Sequence, residues 1–131
     1  MATAAGSNHW RLLGVRVEEI ASGCCRLRLP FSADLLASGT RTVHPGALTC
    51  LIELAVSAAA ATLAPEEARS HYTVELSASF LALATGDVVA DGRALWTGNH
   101  ATKGEAELRG EGGRLVAKGG ATYLLSGQGE V

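Results

Sequence analysis

Apolar and polar positions divide the chain into a short strand pair, one long helix and a run of strands. The first two runs, Leu12 to Ile20 and Cys24 to Leu29, flank Ala21-Ser22-Gly23. In the second, Cys25, Leu27 and Leu29 alternate with Arg26 and Arg28. That period of two predicts a strand with one wet face. Pro30 ends it, because proline cannot donate to a ladder. Ser32 to Leu36 reads as a short helical turn with Ser32 as its cap. Gly39 to Pro45 reads as a loop.

Ala47 to Leu63 contains no Gly or Pro and is rich in good helix formers. Pro65 just beyond it is a stop signal. The helix is apolar nearly all round, which predicts burial on several sides. Its exception is Thr49, Glu53 and Ser57, spaced i, i+4, i+8 and so on one face. We expect that stripe to look away from the sheet, into a cleft or across a subunit interface. Cys50 reads as a core thiol on the side away from Glu53.

Beyond the helix the period returns to two. In Tyr72 to Leu83, Val74, Leu76, Ala78, Phe80 and Ala82 fall on one face, and Thr73, Glu75, Ser77 and Ser79 on the other. Gly86-Asp87 is a turn, followed by strands at Val88 to Thr97, Ala101 to Arg109 and Leu115 to Leu125. Gly112-Gly113 is a hairpin signal between the last two. Segregated helix and strands mean an α+β domain with an antiparallel meander, whose curved sheet wraps the buried helix.

Length and composition narrow the picture. The 131 residues fit one domain, residues 1–131, with 1–9 and 126–131 expected to fray. With 13 Asp+Glu against 11 Lys+Arg there is no cationic footprint for nucleic acid. An apolar content of 47% beside 18% charged excludes disorder. Cys24, Cys25 and Cys50 are an odd set without framework spacing, which points to free thiols in a reducing compartment. These cysteines and His9, His44, His71 and His100 show no ligand spacing on one element, so no metal site is expected. No signal peptide opens the chain, and Glu53 opposes insertion of Ala47–Ala64 into a membrane by about 2.5–3.5 kcal/mol. A cytoplasmic protein with no membrane span is expected.

Candidate chemistry concentrates between Val43 and Ala55. A Pro-Gly loop opens the helix, where unpaired N–H groups and the positive dipole end favour developing negative charge. His44 precedes that loop, and Glu53 follows two turns later among apolar neighbours. Imidazole, carboxylate and oriented donors are parts for acyl-transfer hydrolysis. Thr49 and Ser57 read as packing and back-bonding residues. No Gly-x-Ser-x-Gly elbow is present.

His-Pro-Gly-Ala-Leu-Thr-Cys-Leu-Ile-Glu-Leu-Ala, residues 44–55, resembles the His-Gly-Gly loop and acidic helix of hotdog-fold acyl-CoA thioesterases of the phenylacetate-degradation (PaaI-like) type. Residues 72–81, 86–94 and 112–119 resemble that family's later strands, so the likeness runs from Leu12 to Leu125. The resemblance implies the hotdog fold, a homodimer or homotetramer, and active sites between subunits. It implies that Glu53 is general base or nucleophile on the thioester carbonyl, that His44 orients substrate or water, and that Thr73 lies near the attacking water. No cofactor is implied beyond the coenzyme A of the substrate.

The chain departs from the pattern twice. Pro45 occupies the place of the glycine whose N–H polarises the carbonyl, and proline has no N–H. Gly46 is the substitute donor this leaves. Ser38 stands where the family often has Asn six residues before the histidine. Asn99, His100 and Lys103 fall where the family grips the nucleotide end of coenzyme A, and a plain turn with a solvated strand is the competing reading. A Pro-Gly pair also occurs in hotdog dehydratases acting on acyl carrier protein, but their acidic residue follows the proline by six, whereas Glu53 follows Pro45 by eight. The expectation is an acyl-CoA thioesterase. The alternatives are a non-catalytic hotdog protein that binds acyl-CoA and a structural protein whose dimer surface is its function.

Overall fold

The computed structural model describes residues 8–64 and 70–126. In chain order come α1 (Asn8–Leu13), β1 (Arg16–Ala21), β2 (Cys24–Leu29), a 3₁₀ turn (Ala33–Leu35), α2 (Pro45–Ala61), β3 (Ser70–Phe80), β4 (Val88–Thr97), β5 (Ala101–Arg109) and β6 (Leu115–Ser126). The six strands form one antiparallel sheet in the order β1-β2-β4-β5-β6-β3. Helix α2 lies against its inner face. This is the expected α+β arrangement.

Alternation decides what each strand buries. On β2, Cys25, Leu27 and Leu29 point inward, and on β5 Thr102, Gly104, Ala106 and Leu108 do. They meet Leu51, Ile52, Ala55 and Val56 of α2, all 0% exposed. Each large aliphatic side chain so buried contributes about 1.5–3 kcal/mol. Helix and sheet approach closely. A Cβ at Gly92 would lie 2.5 Å from the Ala55 carbonyl oxygen, so β4 needs glycine there. The outer face carries exposed pairs such as Arg26–Asp91 and Lys118–Glu107, each contributing at most about 1 kcal/mol.

Ser32 caps the 3₁₀ turn as expected, its hydroxyl accepting from the Asp34 N–H. Other expectations need correction. Of the residues expected to fray, Asn8 and His9 open a helix that runs to Leu13. That helix, α1, forms because Trp10 has a buried place, 7% exposed, in the core. Gly14, at φ +79°, ends that helix, so Leu12 and Leu13 are helical and β1 begins only at Arg16. Ser126 closes β6 instead of opening a tail. Helix α2 starts at Pro45 because proline's fixed φ suits a first turn. The stop at Pro65 lies outside the described residues.

The meander is β4-β5-β6, and β3 crosses to pair with β6 at the far edge. Gly86-Asp87 therefore leads into β4 without making a hairpin, because β4 pairs with β2 and β5. A bulge at Val74 breaks the alternation of β3: Thr73 pairs with Tyr123, and Glu75 with Thr122. The extra residue turns Thr73 to the inner face, with Leu76 and Ala78, and leaves Glu75 and Ser77 outside. The polar stripe of α2 likewise does not look away from the sheet. Glu53 faces β3 and β6, as its hydrogen bonds show.

Candidate active site

His44 lies just outside α2 with φ −59° and ψ 136°, as its N-cap. A cap must offer an acceptor to a free N–H of the first turn, usually from Ser, Thr, Asp or Asn. Here the imidazole does so. The Gly46 N–H donates to His44 Nδ1 at 2.7 Å. With Nδ1 accepting, the proton of the neutral ring resides on Nε2. Pro45 is the first helical residue, where an N–H would have no partner inside the helix. Gly46 lets the ring sit close, since a Cβ there would be 3.0 Å from Nδ1. All three residues are exposed.

Glu53 is half-buried two turns further on. Its Oε2 accepts from the Tyr123 hydroxyl at 2.7 Å, and Thr73 Oγ1 lies 3.4 Å from the same oxygen. The Tyr123 hydroxyl is also 2.6 Å from the Glu53 main-chain carbonyl oxygen. Burial above all, then the charge of Glu53 and the hydrogen bond to it, push the Tyr123 phenol well above its ordinary range. It therefore remains a protonated donor at any working pH.

Cys50 is not on the far side from Glu53. Three residues apart on a helix means neighbouring sides, and Cys50 is half-buried there. Burial, then the charge of Glu53, raise its thiol, the reverse of what a nucleophilic cysteine needs. Cys25 is core: it donates to the Ala55 carbonyl, and burial pushes it up to about 11. Thr49 donates back to the Pro45 carbonyl at 2.9 Å, tied into its own helix.

The structure thus gathers these residues into two groups on one helix. His44, Pro45 and Gly46 form one, and Glu53, Thr73 and Tyr123 the other. Glu53 follows Gly46 by seven positions, about 10 Å along the axis at 1.5 Å per residue.

The remaining candidates lie elsewhere. Ser38 is exposed in the loop that the Leu36–Val43 bridge closes. Asn99 and His100 are exposed in the β4–β5 connection. Lys103 is on the outer face, 3.5 Å from Glu75 and 3.4 Å from Thr122 Oγ1, so the sheet separates it from Glu53. Tyr123 was not foreseen. Its signal was a large, polar-tipped residue ending an inner row of small ones, Ala117, Gly119 and Ala121, since a buried tyrosine hydroxyl needs a partner.

A long helix held against one six-stranded antiparallel sheet is the arrangement of the hotdog thioesterase fold. The chain belongs to the thioesterase superfamily, whose model matches residues 41–117. Over 99 residues, 73% of this chain, it is 34% identical to the Halobacterium salinarum protein named "Putative esterase VNG_1336C", and it spans 64% of that relative's length. Its fold is similar to that of PA5202, a conserved protein of Pseudomonas aeruginosa, with a TM-score of 0.84, 28% identity, and 92% of this chain and 94% of that one covered. The Escherichia coli PaaI protein of the phenylacetic acid degradation operon shares the fold, with a TM-score of 0.85 at 16% identity over 96% of this chain and 89% of that one. The family match contains His44, Pro45, Gly46, Glu53 and Thr73 and stops short of Tyr123.

Proposed function

We propose that this protein is an acyl-CoA thioesterase whose site joins Glu53 of one protomer to the His44–Gly46 helix start of another. The observation that carries this reading is the pair of half-sites: a carboxylate held at mid-helix, and a donor-bearing helix start about 10 Å away along the same axis. Each lacks what the other holds.

The chemistry follows from the groups. A water near Thr73 attacks the thioester carbon while Glu53 takes its proton. The carbonyl oxygen gains charge at the helix start, where the Gly46 N–H, exchanged from His44 Nδ1, receives it. On collapse the C–S bond breaks, the CoA thiolate recovers the proton, and the acid departs. In the nucleophilic variant, Glu53 forms a mixed anhydride that water then hydrolyses. Neither route draws on a metal or cofactor.

Edge strand β3 supports the oligomer. Val74 is 50% exposed, Phe80 47% and Leu76 38%, on a strand with one unpaired side. Such an edge, left bare, is a template for another chain. Light scattering at micromolar concentration should give a dimer or tetramer, and a monomer would sink the shared site.

The test of activity is thiol release from short, medium and aromatic acyl-CoA esters. We expect turnover of at least one. A specific observation favours a second reading, a non-catalytic acyl-CoA binder: Pro45 has no N–H, and the Gly46 N–H is already bonded to His44. Thermal stabilisation by acyl-CoA without thiol release from any ester would establish that reading instead.

A further inference from the structure

We propose that Tyr123 is a positioning residue for hydrolysis, one that fixes the orientation of Glu53 and reserves one carboxylate oxygen for the reaction. The inference rests on the reading of Glu53 as the group that activates water or attacks directly.

Consider what the phenol does. Its oxygen lies within hydrogen-bond distance of two oxygens of the same residue, the Glu53 carbonyl at 2.6 Å and Oε2 at 2.7 Å. A glutamate on a helix has three side-chain torsions and would otherwise sweep a wide arc. Contact at both its main chain and its carboxylate closes the side chain into a loop and removes that freedom. Thr73 acts on the same oxygen from the neighbouring strand, at 3.4 Å. Thr73 and Tyr123 are register partners across β3 and β6, and Thr73 reaches the inner face only because of the bulge at Val74. A bulge that re-aims one side chain toward a carboxylate is a positioning device.

Both contacts fall on Oε2. Oε1 is then the oxygen left to face water or the thioester, held in a near-attack orientation from the Oε2 side. Tyr123 is 1% exposed, so it acts through Glu53 and not on the reactants. Phenylalanine keeps the ring in the core and removes only the hydroxyl.

The experiment is a double-mutant cycle of Tyr123→Phe and Glu53→Gln, read as kcat and KM in thiol release. Tyr123→Phe should lower kcat about tenfold, the scale of one hydrogen bond to a charged group, with KM within about twofold. In the Glu53→Gln background the same change should have no further effect, because residues acting as one unit are non-additive. If Tyr123→Phe turns over like wild type while Glu53→Gln is crippled, the positioning role is overturned and the role of Glu53 stands. A kcat loss that is equal in both backgrounds also overturns it. Unimpaired Glu53→Gln sinks the reading of Glu53, and the inference with it. Urea unfolding of wild type, Tyr123→Phe, Glu53→Ala and the double variant gives a readout independent of turnover, since each single change removes the carboxylate contact: non-additive midpoints support the contact, and additive midpoints count against it. Should Tyr123→Phe fail to fold, Thr73→Val removes the second donor from Oε2. It should lose about two- to threefold in kcat at constant KM, and no loss overturns the clamp.

Discussion

The two half-sites of helix α2 are held by opposite means. At the helix start, His44 and Gly46 are two residues apart, and one local bond in exposed surroundings makes the arrangement. At mid-helix, Glu53 is held by Thr73, 20 residues away, and by Tyr123, 70 residues away, beneath a wrapped sheet. The first arrangement needs only a first turn of helix. The second exists only when β3, β6 and α2 are all in place. On the proposed mechanism, a donor that exchanges partners suits a local, exposed setting, and a carboxylate held in one orientation suits a long-range clamp.

The largest effect should come from breaking the clamped half. Glu53→Gln removes the proton acceptor and its charge but keeps the shape, and its amide oxygen still accepts from Tyr123. We expect a loss of about 10²–10³ in thioester turnover with unfolding midpoints close to wild type. Wild-type turnover in this variant would make Glu53 a structural residue.

Pro45→Gly tests the other half with a smaller expected effect of opposite sign. Pro45 is the first helical residue, so glycine there adds an N–H with no partner inside the helix. One oxyanion donor is worth about 10²–10³ in turnover. We expect a rise of only about tenfold, since glycine also loosens the loop. A fall in activity would show that Gly46, steadied by the proline ring, is already the donor.

The same contrast explains what could be read in the sequence. Features made by neighbours in the chain were legible: the Ser32 cap, the helix near Pro45, the strands from Val88 to Arg109, and the placing of His44 and Gly46 at the helix start with Glu53 two turns on. The α+β class and the hotdog resemblance followed from their order. Features made by distant partners were not. Nothing around Val74 marks it as the bulge that turns Thr73 inward, because strict alternation reads equally well there. Tyr123 lies in a row of small residues whose facing carboxylate is 70 positions away. Trp10 was given no role, because its burial depends on a core that local pattern does not describe.

The smallest effect separates the two duties of His44. As a cap, Nδ1 satisfies the Gly46 N–H; as a substrate contact, Nε2–H would be its donor. His44→Ala removes both. Losing a cap typically costs about 1 kcal/mol, so the melting temperature should fall by about 3–5 °C for a domain of this size. His44→Asn restores a side-chain acceptor of a type common at helix starts, so its melting temperature should return to within about 1 °C of wild type. Activity should not follow stability. If Nε2–H orients substrate or water, the Asn variant remains as impaired in turnover as the Ala variant, although its helix is capped. If instead Asn recovers wild-type turnover along with the melting temperature, His44 serves the site only by shaping the first turn of α2. The helix start would then contribute main-chain N–H groups and dipole alone, and the two half-sites would differ even more than their geometry implies: one built of backbone, the other of side chains.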